Sequence, residues 1–109
     1  MPEATQEEIG RRLFHVRREK KVEQAIKQMQ QGIGPEWKSF TQEKIVLLGH
    51  LLQCTWNTID QEIWEKIPFA HVKTNDVDRI LSFGTEVRPG RNPSQDNVAE
   101  IKKILLSLT

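Results

Sequence analysis

The chain has 109 residues, 37% hydrophobic and 28% charged, and its 16 basic and 15 acidic side chains leave a net charge of +1. That length fits one domain with one modest core, and the composition excludes a disordered chain. Near neutrality also excludes a global field that would draw the protein onto phosphate or an anionic membrane, so any nucleic-acid contact has to be local.

The first element is expected over residues 6–31. Its start is a capping box, TQEE at residues 5–8, and GIGP at residues 32–35 supplies two glycines and a proline to end it. Its apolar residues do not keep one face. At about 100° per residue, Ile9, Leu13 and Val16 fall on one side, whereas Val22, Ala25, Ile26 and Met29, loosely joined by Phe14, fall roughly opposite. The stripe changes sides across RREKK, residues 17–21. Either the helix breaks there and both halves face one core, or it continues and offers two apolar faces to two surfaces.

The second element starts at Thr41, a cap flanked by the hydrophobic staple Phe40 and Ile45, and runs through Trp56. Ile45, Leu48, Leu51, Leu52 and Trp56 make its main stripe, and Val46, Leu47 and Cys54 carry apolarity around most of the remaining circumference. Such a helix is expected at the centre of a domain. TIDQ at residues 58–61 repeats the capping-box spacing and introduces a short third helix, with Ile59, Ile63, Trp64 and Ile67 as its buried set and Pro68 as its stop. A fourth follows, capped by Thr74, with Val77, Ile80 and Leu81 inward and Gly84 at its end. Ser94 or Asp96 caps a fifth, striped by Val98, Ile101, Ile104, Leu105 and Leu108. No window alternates as a strand would. The expected class is therefore all-α: a compact bundle of about five helices around a central apolar helix, residues 42–56. Residues 1–109 read as a single helical domain, with 1–31 as a candidate protruding association helix.

The side chains offer little chemistry. His50 and Cys54 stand four apart on one helical face, but His15 and His71 complete no zinc spacing, so neither a metal site nor a catalytic dyad is expected. Asp60, Glu62, Glu65, Asp76 and Asp78 read as solvated faces. GIGPEW lacks the lysine and the preceding strand of a phosphate-binding loop. No enzyme activity and no cofactor is expected. The lone Cys54 excludes an internal disulfide framework. MPEATQEEIGRRL has no apolar leader, and no apolar run exceeds four residues. These features give an expected location inside the cell, cytoplasmic or nuclear, with no membrane partner.

Two local resemblances concern DNA. From Phe40 to Arg79 the sequence resembles the Myb/SANT three-helix module: an aromatic-Thr-x-Glu start, Trp64 and Ile67 three apart, Pro68, then Thr74 opening a third helix. It departs from that module in Phe40 replacing the first tryptophan, in a longer stretch before Trp64, and in Asp76 and Asp78 where basic residues are usual. Carboxylates repel phosphate, so such a module here implies protein binding more readily than DNA binding. FGTEVRPGRNPS, residues 83–94, looks like the arm of the bacterial HU family, which implies Arg91, Asn92 and Pro93 as a minor-groove tip.

Two functions stand in order of expectation. The first is a non-enzymatic helical interaction module, associating with a protein partner or with itself through Phe14, Val22, Ala25, Ile26 and Met29. The second is a small DNA- or RNA-binding regulator using the basic ends and the loop of residues 84–93. Its contacts would be Arg11, Arg12, Arg17, Arg18, Lys20, Lys21, Arg88, Arg91, Lys102 and Lys103.

Overall fold

A computed structural model of the chain describes residues 20–85, 87 and 92–108. These form five α-helices: α1 (Lys20–Ile33), α2 (Gln42–Trp56), α3 (Gln61–Lys66), α4 (Thr74–Ser82) and α5 (Gln95–Ser107). Two 3-10 turns, Gly34–Ser39 and Phe69–His71, join them, and the described residues contain no strand. The class is the all-α bundle expected from the sequence, and the central helix has the expected limits.

Helix α2 begins where Thr41 Oγ1 accepts a hydrogen bond from the Lys44 N–H at 3.2 Å. Such a cap contributes about 1 kcal/mol. Phe40, just outside, and Ile45, one turn in, both pack on the core as a staple does. Val46, Leu48, Gly49, Leu51, Leu52 and Thr55 are buried around the helix, which is why its neighbours close over it from several sides. The one hydroxyl among them is satisfied: Thr55 Oγ1 donates to the Leu51 carbonyl at 2.8 Å.

Helix α1 corrects the expected association surface. Val22, Ala25, Ile26 and Met29 are buried in the core cluster with Leu48, Leu52, Trp64 and Phe69. They pack against α2 and both 3-10 turns. A stripe of four apolar residues on a 14-residue helix finds its cover within the chain, so no second molecule is needed to hide it. Residues 20–31 therefore lie on the domain instead of protruding. Phe14, and the question of a break within residues 17–19, lie outside the described residues.

The end of α1 also differs in detail. The helix runs past Gly32 to Ile33, and the left-handed residue that stops it is Gly34, at φ +72°. Gly32 has another role: a Cβ there would fall on the backbone carbonyl of Ala70, so the absent side chain lets α1 press against the Phe69–His71 turn.

Two capping assignments shift, and a third is decided between its two candidates. Asp60, not Thr58, caps α3, with Oδ1 accepting from the Glu62 N–H at 3.4 Å. Thr58 Oγ1 is already committed to the Thr55 carbonyl at the end of α2, 2.8 Å away. Thr74 lies inside α4, where the Asp76 carboxylate accepts from the Lys73 N–H at 3.0 Å. The Thr74 hydroxyl instead donates to Glu36 Oε2 at 2.6 Å and ties α4 to the Gly34–Ser39 turn. For α5 the choice falls on Ser94, whose Oγ accepts from the Asn97 N–H at 3.2 Å. Ile101, Ile104 and Leu105 then bury against α2 and α4.

Candidate functional site

The face of α2 beneath residues 84–93 carries the most chemistry. Gly84 packs under Leu47 and Leu51, and Val87 is buried, so the chain after α4 turns back over the central helix. His50 is 3% exposed. Its Nε2 lies 3.9 Å from Cys54 Sγ, and it shares a hydrogen bond with the Asn92 side chain. The HU-like reading places Asn92 at an outward tip; here Asn92 is exposed, and its side chain reaches His50. The pair Val87 and Asn92 anchors the two described ends of the loop, whereas Arg88 and Arg91 lie outside the described residues.

Burial sets the protonation of this cluster. Loss of water pulls the His50 pKa below its ordinary value, with the Asn92 hydrogen bond partly opposing, and pushes the Cys54 thiol up. At neutral pH the pair is a neutral imidazole beside a thiol, the opposite of the thiolate–imidazolium arrangement that activates a nucleophile. Among the described residues no group of three His, Cys, Asp or Glu side chains is placed to hold a metal ion.

A pH dependence follows from His50. Its folded pKa lies below the unfolded value, so between those two values the unfolded chain binds more protons. The contribution of neutral His50 is fully present above about pH 6.5 and is lost as pH falls toward the folded pKa. Urea unfolding of His50→Gln across pH 5 to 8 is expected to show a flatter stability profile than the parent.

Four of the basic candidates, Lys20, Lys21, Lys102 and Lys103, are among the described residues. Lys21 Nζ is 3.1 Å from Glu65 Oε1, and Lys103 Nζ is 3.2 Å from Glu100 Oε1, so two of the four described candidates already face carboxylates. Lys20 is exposed and Lys102 half-buried. Helix α1 packs on α2 and the two 3-10 turns, and α5 packs on α2 and α4, so both basic ends rest on α2. Arg11, Arg12, Arg17 and Arg18 lie outside the described residues.

The outer side of α3 was not singled out by the sequence. Ile63, expected in the buried set, is 42% exposed, the only large hydrophobic side chain so exposed among the described residues. The reason is the shortness of α3. Ile67 has extended backbone (φ −70°, ψ 122°) beyond the helix end, so the spacing from Ile63 to Ile67 is not a helical one. Trp64 does the anchoring, with its ring 4.9 Å from that of Phe69. Asp60, Gln61, Glu62, Glu65 and Lys66 are the other exposed residues of this short segment. A cleft of about 170 Å³ between α1 and α3 has Trp64, Ile67 and Phe69 in its lining and the Lys21–Glu65 ion pair beside it.

No family model, curated protein or solved structure matches the chain. The Myb/SANT and HU resemblances therefore rest on the quoted residues alone. Helices α2, α3 and α4 do occur where the first of them places three helices. Among the described residues no helix is long and apolar enough to cross a membrane.

Proposed function

We propose that this chain is a non-enzymatic helical association module whose contact surface is carried by Ile9, Leu13 and Val16, upstream of α1. The supporting observation is the burial of Val22, Ala25, Ile26 and Met29 in the domain's own core. The sequence sets the two stripes roughly opposite on a helical wheel, so if the helix continues through residues 17–19 a core that takes the second cannot also take the first. An uncovered stripe of that kind is costly in water and is what partner helices recognise.

Light scattering across a concentration series tests the reading. Wild type is expected to exceed the monomer mass as concentration rises, and Leu13→Asp is expected to remain folded and monomeric. A wild type that stays monomeric and captures the same partners as Leu13→Asp contradicts it. Duplex DNA or RNA titrated at two salt concentrations provides the other arm. Binding that falls with a log–log slope near −0.9 per phosphate neutralised on DNA would favour the nucleic-acid reading instead.

A further inference from the structure

We draw no further inference here: the strongest candidate, the cluster of His50, Cys54 and Asn92 where the central helix α2 meets the loop of residues 84–93, belongs to the site already described and brings a single cysteine, with no third His, Cys, Asp or Glu side chain among the described residues placed to complete a metal site.

Discussion

Ile26→Asp is expected to unfold the domain instead of merely releasing a partner. Ile26 is 8% exposed and shares a core with Val22, Ala25 and Met29, each 1% exposed or less. Truncating a buried isoleucine alone costs about 2–5 kcal/mol. Aspartate adds either a carboxylate taken out of water or the cost of protonating it. Natural domains hold only about 5–15 kcal/mol in total, so the sum consumes most or all of the margin. Far-UV circular dichroism during a urea titration reads the outcome: a lost or strongly lowered transition is expected. A folded Ile26→Asp protein of unchanged midpoint would mean that the α1 stripe is accessible after all.

Gly32→Ala is expected to destabilise, against the usual sign for a helix. Within a helix alanine is favoured over glycine by about 1 kcal/mol. Here the new methyl group would occupy the position of the Ala70 carbonyl, and a backbone group cannot swing aside as a side-chain end can. Helix α1 and the Phe69–His71 turn would have to part, and overpacking of this kind costs about 1–3 kcal/mol. A drop in the urea midpoint is therefore expected. Gly34→Ala serves as the contrast, because nothing lies within 4 Å of its Cβ position and only its φ of +72° opposes the change. That conformation costs an L-residue about 1–2 kcal/mol. If Gly32→Ala were stabilising, α1 would not make the close approach described here.

Local signals carried much of the fold. Thr41 with its staple located the start of α2, and the apolarity of residues 45–56 located its centre. The α1 stripe was visible too, but its partner was not: a periodicity names a face without naming what covers it, and the cover here is residues 48–52 and 64–69, distant in sequence. Capping errors had a common cause. Thr58 and Thr74 each have hydroxyls that suit a cap, and each was claimed by an acceptor that sequence spacing does not reveal, the Thr55 carbonyl and the Glu36 carboxylate. Ile63 misled because its helix stops before the residue that would continue its stripe. Asn92 meeting His50 joins positions 42 apart and had no local signal, beyond the glycines and prolines that mark a returning loop.

Native-state hydrogen exchange of the full chain tests most directly the claim that the Val22 to Met29 stripe belongs to the core. The amides of α1 in that stretch are expected to exchange with the same free energy as the slowest amides of α2 around Leu48, Leu51 and Leu52, because both open only when the core opens. Exchange of the α1 amides through a separate, low-energy opening, with α2 still protected, would contradict it and return Val22, Ala25, Ile26 and Met29 to the role of a detachable contact surface.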